Sequence, residues 1–356
     1  MTIVHVNIGL GGGGAEHMIL EMAKKSQQDT IKTIIFAITD NRQIEFKFAE
    51  NNLEYHFLGI NSPKQFFKGI KTLKRKLAGY DDVVMHCHMF HALIVGLTYS
   101  LFYKKTPIVF TLHNILVEEF YRRIVLYLTK PFRKADINFS SRASKWYLRN
   151  TKVIANGVDF DKFKLDKERQ YNVNETFKFL YLGRIEEQKN PLILTALATK
   201  LLAHGHDNFE ILVAGEGDMR LQLEQQITKH HLEKHIKLLG FQKDVKQLLM
   251  NAHCMIMPSL WEGLPISLIE ASATKLPIIT TPVGSIPDFF NTTNAYVADC
   301  DTFHKEMISV LTDYQQALAK AEKLYIDNKT IFDINSVYQQ HLELYRAVSN
   351  EKQSDY

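Results

Sequence analysis

At 356 residues the chain is too long for one ordinary hydrophobic core and suits two domains. A hydrophobic content of 46% with 23% charged residues excludes a disordered chain, and three widely spaced cysteines (Cys87, Cys254, Cys300) exclude a disulfide framework and point to a reducing compartment. The net charge is only +4, yet between residues 60 and 150 sixteen basic side chains face five acidic ones, an imbalance that calls for an anionic partner.

The first run, Ile3 to Ile8, reads as a β-strand and lacks the basic-then-apolar pattern of a secretory signal, so a cytoplasmic protein is expected. The loop Gly9-Leu-Gly-Gly-Gly-Gly-Ala-Glu-His17 follows and leads to a helix from about Glu16. Gly9, Gly11 and Gly14 match G-x-G-x-x-G between strand and helix, the context of a dinucleotide site, with Asp40 as the candidate ribose acid. A plain tight turn accounts for the same glycines. Strand-like runs at Lys32–Thr39, Tyr55–Leu58, Val83–His88 and Ile108–Leu112 alternate with helical stretches and predict a parallel βαβ sheet.

Lys64–Leu77 places Phe66, Phe67, Ile70, Leu73 and Leu77 on one helical side and basic residues over most of the rest. Such a helix either lies in an anionic membrane surface or packs its apolar side into the core with the basic side in water. The aromatic and basic segment Phe120–Lys134 adds weight to the membrane reading. No nucleic-acid reading motif accompanies the charge, so nucleic acid is not expected. The longest apolar run, Ala92–Tyr103, stops at Lys104 and Lys105 and is too short to span a bilayer.

His86-Cys-His88 closes one strand and Thr111-Leu-His-Asn114 the next, at the strand ends where ligands collect in open α/β sheets. Alternation puts His86 and His88 on one face, but the sequence offers no third ligand beside them, so no metal is expected. His113 reads either as a structural histidine or as a ligand contact.

In the second half the strand Phe177–Leu182 runs into Gly183-Arg-Ile-Glu-Glu-Gln-Lys-Asn-Pro191. This spacing sets Arg184 at a strand end and Lys189 in the first turn of a helix, where cations oppose the helix dipole. A bound diphosphate would remove that conflict; ion pairs to Glu186 and Glu187 would do so as well. Strands Phe209–Ala214 and Ile236–Leu239 lead to the turns Gly215-Glu-Gly-Asp218 and Gly240-Phe-Gln-Lys-Asp244, and Cys254–Met257 leads to Pro258–Pro287. There Glu262 precedes Gly263-Leu264-Pro265, and Ile266–Thr274 has helical periodicity, so Glu262 sits ahead of a helix N-terminus suited to an anion. Glu270 lies eight positions on, within roughly 80° of the same face if helical spacing applies, and both carboxylates are expected to look into one cleft.

Glu262-x7-Glu270 with Gly-Leu-Pro after the first Glu, closed by Lys275-Leu-Pro-Ile-Ile-Thr-Thr-Pro-Val-Gly284, resembles the signature of family 4 of the retaining glycosyltransferases, enzymes of the GT-B fold. Val153-Ile-Ala-Asn-Gly-Val-Asp159 resembles the family's Ile-Pro-Asn-Gly-Val-Asp element, with Ala155 in place of the proline, and the turns at Gly215 and Gly240 resemble loops near the nucleotide base. The resemblance covers nearly the whole chain. It implies an α/β protein of GT-B type: two doubly wound Rossmann-like domains facing across a cleft, an acceptor-side domain over 1–158 joined by a tail helix over 333–356, and a nucleotide-sugar domain over 159–332. The tail presents Ile334, Val337, His341, Leu344, Tyr345 and Val348 on one helical face that, by the resemblance, packs onto the first domain; the residues from Ser349 on are expected to fray.

The resemblance further implies retaining transfer of a hexose or N-acetylhexosamine from a nucleotide-diphosphate sugar, taken as UDP-linked. The acceptor is a lipid-linked or surface-polysaccharide chain, met peripherally on the inner face of the plasma membrane. Gly13, Gly14, Arg184, Lys189, Glu262, Gly263, Leu264, Pro265 and Glu270 are the implied donor-binding residues. Of the implied catalytic set of Glu262, His113, Arg184 and Lys189, the cations serve the diphosphate, Glu262 orients sugar hydroxyls and His113 contacts the donor sugar. Glu270 accepts hydrogen bonds from the ribose. No cofactor and no active-site metal are implied. The alternatives are a GT-B nucleotide-sugar epimerase, an NAD-dependent Rossmann enzyme and a non-catalytic partner subunit.

Overall fold

Apolar runs rich in Val, Ile and Phe set the strands of two parallel sheets, and the amphipathic segments between them cover both faces. The structure, a computed structural model, describes residues 1–113, 117, 119–140, 145–149, 151–165, 169–172 and 174–354. Asn114, Glu118, Arg142 and Tyr356, which enter the sequence reading, lie outside them. The chain divides into Met1–Gly157 with Ile334–Tyr356, and Val158–Asp333.

The first unit runs β1 (Thr2–Asn7), α1 (Gly14–Gln28), β2 (Thr33–Ala37), α2 (Glu45–Glu50), β3 (Glu54–Phe57), α3 (Phe66–Leu77), β4 (Val83–His88), α4 (Met89–Phe102), β5 (Ile108–Thr111), α5 (Phe120–Leu128), β6 (Ala135–Asn138) and β7 (Thr151–Val153). Its seven strands pair in the order β3-β2-β1-β4-β5-β6-β7. On one face Phe36, Met85 and Phe110 pack with Ile70, Leu73 and Leu77 of α3; on the other Ile35 packs with Ile19, Ala23 and Phe48. The apolar side of α3 is therefore spent on the core, which decides between the two readings of that helix: only Phe67, 69% exposed, is free of it.

The second unit runs α6 (Phe160–Phe163), β8 (Phe177–Leu182), α7 (Ile193–Ala203), β9 (Phe209–Ala214), α8 (Arg220–Lys229), β10 (Ile236–Gly240), α9 (Val245–Asn251), β11 (Cys254–Met257), α10 (Ile266–Ala273), β12 (Ile278–Thr280), α11 (Ile286–Phe289), β13 (Tyr296–Val297), α12 (Phe303–Thr312) and α13 (Tyr314–Phe332). Its six parallel strands pair in the order β10-β9-β8-β11-β12-β13, so the direction of winding reverses between β8 and β11. Ligands of doubly wound sheets bind outside the strand ends at such a reversal.

The chain leaves the first unit at Gly157 and returns at Ile334 as α14 (Ile334–Ser354). A side chain on Gly157 would collide with Ile334 and Val337, so glycine is what lets the outgoing strand and the returning helix lie this close. Val337, Tyr338, Leu342 and Tyr345 of α14 are buried. Ser349, where fraying was expected to begin, is itself buried, and its hydroxyl donates to Asp82 at 2.8 Å.

Strands β6, β7 and β13 were not expected. In β6, Asp136 and Asn138 are buried polar residues, which breaks the apolar signal. The reason is a fully buried ion pair, Arg133 Nη2 to Asp136 Oδ2 at 3.3 Å. Arg133 also donates to the carbonyls of Leu126 and Tyr147, and Asp136 accepts from the Arg149 amide at 2.6 Å. Burial still raises the Asp136 carboxyl to about 6, against the pull of Arg133. Replacing Arg133 by Met should cost about 3–5 kcal/mol, because it strands a buried carboxylate. As the raised carboxyl is neutral only at low pH, the loss in chemical denaturation should be larger at about pH 8 than at about pH 5; an equal loss at both would show that Asp136 is not ionised in the native pair.

Candidate active site

Glu262 and Lys189 form the centre of the second unit's strand-end loops. Lys189 Nζ lies 2.6 Å from Glu262 Oε1, with side-chain exposures of 14% and 6%, so the pair is largely shielded from water. Oε1 has no hydrogen-bond partner besides this ion pair, which leaves room on it for one more donor. Oε2 accepts from the Gln188 amide at 3.3 Å, and the same amide reaches the Trp261 carbonyl at 3.1 Å. Sequence reasoning passed over Gln188. Its signal was its place beside Lys189 in a tight turn, where neighbouring side chains fan towards the same loop.

The backbone fixes this arrangement from several strands. The Leu260 amide donates to the Gln188 carbonyl at 2.8 Å, and the Ser285 amide to the Gly263 carbonyl at 3.0 Å. Tyr181, at the end of β8, donates its hydroxyl to the Arg184 carbonyl at 3.0 Å. The Ile185 amide donates to the Glu216 carbonyl at 2.9 Å, and the Gly215 amide to the Gly240 carbonyl at 2.9 Å. Gly215 has φ +151 and stands against the Gly183 carbonyl, a backbone approach with no room for a side chain. Gly284, at φ +68, stands in the same way against the Glu262 carbonyl.

Three expectations about this site need correction. Lys189 is not in the first turn of a helix: it ends the short 3-10 turn Glu187–Lys189, Asn190 follows in the left-handed region at φ 51, and α7 starts only at Ile193. Its charge is answered by Glu262, not by Glu186 or Glu187, whereas Arg184, 63% exposed, does pair with Glu186 at 2.9 Å. Helical spacing does not relate the two glutamates, because Glu262 lies in the non-helical stretch before α10 and Glu270 is only one turn into that helix. The position of Glu262 ahead of α10, with Gly263, Leu264 and Pro265 leading into the helix and Pro265 as its N-cap, is as expected from the sequence.

In the first unit Gly13 is the N-cap of α1 and Gly14 its first residue. Glu16 already answers the positive end of that helix, held by the Asn7 amide at 2.9 Å, and a dinucleotide pyrophosphate placed there would meet a carboxylate. His113 is partly exposed, and its Nε2 lies 2.9 Å from His88 Nδ1. Burial holds the His113 imidazole far below its usual range, to about 3, with His341 adding to the effect.

The missing third histidine also appears. β1 pairs with β4 so that His5 sits beside His86, and His5 Nδ1 lies 3.0 Å from His88 Nε2. His86 contacts Tyr345 of α14 at 2.6 Å through Nδ1 and Thr111 at 2.7 Å through Nε2. Burial lowers His5 to about 3 and shifts His86 and His88 well below the ordinary histidine value, so these rings are neutral near pH 7. Each strand showed its histidines in the sequence; the pairing that joins β1 to β4 did not show.

Two units, each a parallel sheet wound on both faces, define the GT-B class of enzyme fold, and comparison with solved structures agrees. HepE from Anabaena, crystallised with UDP-glucose, superimposes with a TM-score of 0.84 over 98% of this chain and 100% of that one, at 21% identity. The pattern for Glycosyltransferase Family 4 matches residues 12–162 and that for Glycosyl transferases group 1 matches 163–327. The chain belongs to the glycosyltransferases that carry this pair of domains. The capsular polysaccharide biosynthesis glycosyltransferase CapH of Staphylococcus aureus is 23% identical over 98% of this chain and 99% of its own length. An Escherichia coli UDP-Gal:alpha-D-GlcNAc-diphosphoundecaprenol alpha-1,3-galactosyltransferase is 31% identical over 45% of each chain. The matched stretch thus spans less than half of that relative, as it does of a glycosyltransferase from Methanocaldococcus jannaschii.

Gly284→Ala tests the backbone contact behind Glu262. The positive φ and the collision with the Glu262 carbonyl should together cost about 1–3 kcal/mol and displace the glutamate. Thermal unfolding should show the loss; an unchanged midpoint would mean that the loop does not hold Glu262 in place.

Proposed function

We propose that the chain transfers a hexose or N-acetylhexosamine, with retention, from a UDP-sugar to a lipid-linked or surface-polysaccharide acceptor. The shielded pair of Lys189, from the turn after β8, and Glu262, from the loop between β11 and α10, carries this reading. Such a pair is costly to bury for stability alone. It is useful where an anion arrives at the lysine and hydroxyl groups arrive at the unfilled position of the carboxylate. In transfer from a nucleotide diphosphate, negative charge grows on the leaving phosphate, and cations set in place beforehand lower that barrier. Lys189 and Arg184 take this role, with the positive end of the α10 dipole.

Glu262 then orients hydroxyls of the donor sugar and Glu270 the ribose. Gly13 and Gly14 let the first unit's backbone approach the donor, and His113, held neutral, meets the sugar as a hydrogen-bonding group. No carboxylate stands out as a nucleophile, so attack from the leaving-group side, assisted by the departing phosphate, is the proposed route to retention. A UDP donor and a lipid-linked or capsular acceptor follow the names borne by the relatives and the ligand in HepE.

Among the described residues no helix is long and apolar enough to cross a membrane. A cytoplasmic enzyme peripheral to the inner face is proposed, and α5 supports it better than α3. Only Leu126 of α5 is buried, while Phe120, Tyr121, Tyr127 and Leu128 are at least half exposed, near Arg122 and Lys130. An apolar face rimmed by cations suits the boundary between anionic headgroups and acyl chains.

Lys189→Ala should lower transfer by about 10²–10³-fold while Lys275→Ala, a surface variant, keeps wild-type rates; equal activity of the two would remove Lys189 from the site. UDP-sugars should raise the thermal midpoint, by about 2.7 kcal/mol of stabilisation at a hundred times Kd, where NAD does not. Phe120→Ser with Leu128→Ser should weaken salt-sensitive binding to anionic vesicles by at least about tenfold; undiminished binding would place the membrane contact elsewhere.

A further inference from the structure

We propose that His5, His86 and His88 form a binding site for a zinc-class divalent cation inside the first unit. One ring nitrogen from each histidine lies within 4.8 Å of those of the other two, and all three side chains are buried. A tetrahedral zinc site with Zn–N of about 2.0–2.1 Å brings its nitrogens to about 3.3 Å from one another. His5 Nδ1 and His88 Nε2 are already 3.0 Å apart, so His86 has the farthest to move.

The groups outside these rings are those a metal centre uses. His86 Nε2 is held by Thr111 at 2.7 Å and His88 Nδ1 by His113 at 2.9 Å, which orients the opposite nitrogens of both rings inward. The Tyr345 hydroxyl, 2.6 Å from His86 Nδ1, is the group at hand for the fourth position. Hydrogen bonding alone does not satisfy the cluster: His5 Nε2 is buried without a partner, a cost of about 1–3 kcal/mol for a polar atom in this setting. A cation here ties β1 and β4 to α14.

Because the rings are buried, the metal is loaded during folding. Untagged full-length protein is expressed in zinc-supplemented medium, dialysed and measured for zinc. About one equivalent is expected in the wild type and in the surface double variant His230→Gln/His231→Gln, with less than about a tenth in His5→Gln and in His88→Gln. Zinc-edge X-ray absorption on the wild type should show three imidazole ligands, a readout that stands even if the variants fail to fold. No retained zinc in the wild type, a content unmoved by His5→Gln, or an oxygen-dominated shell would each overturn the site.

Discussion

The second unit is arranged around the difficulty of keeping Lys189 and Glu262 together out of water. Two opposite charges at this depth stay only if the surrounding geometry holds them. Here it is supplied by backbone: the loops after β8, β9, β10, β11 and β12 bond to one another through Ile185, Gly215, Leu260 and Ser285. Those bonds pass through glycines because carbonyls approach from the side where a Cβ would stand. The motif read in the sequence as Gly-rich turns and a Glu-Gly-Leu-Pro step is the trace of that close packing.

Much of this was legible, and what was not has physical causes. Apolar strands with a turn after them, such as β8, β9 and β11, announce themselves, since burial on both faces leaves little choice of residue. The start of α10 showed through Gly-Leu-Pro and the period that follows. Strand β6 did not, because Asp136 is buried there for the sake of Arg133, and a sequence does not reveal which charges will pair in the interior. Lys189 was placed in a helix that starts later, since a residue in the left-handed region, Asn190, interrupts what periodicity alone joins. The partner of Lys189 lies over seventy positions away, so local spacing favoured the nearby Glu186 and Glu187.

The two surfaces of the first unit show how alike patterns part on folding. Helices α3 and α5 both alternate aromatic or aliphatic residues with lysine and arginine. In α3 the apolar side meets Phe36 and Leu58 in the core, and in α5 only Leu126 does so. Periodicity tells which residues share a side; it does not tell whether the sheet or the solvent receives that side. The histidines of β1 and β4 carry the same lesson in reverse, being polar residues on strand faces that the fold turns inward.

The crossing at Gly157 and Ile334 has a consequence for the order of events during synthesis. Tyr345, which completes the surroundings of His86, is made after the whole of the intervening unit. The first sheet therefore emerges from the ribosome early but waits, with the flank that α14 will cover still open, while Val158–Asp333 is translated and folds. The half of the protein that is begun first is finished last.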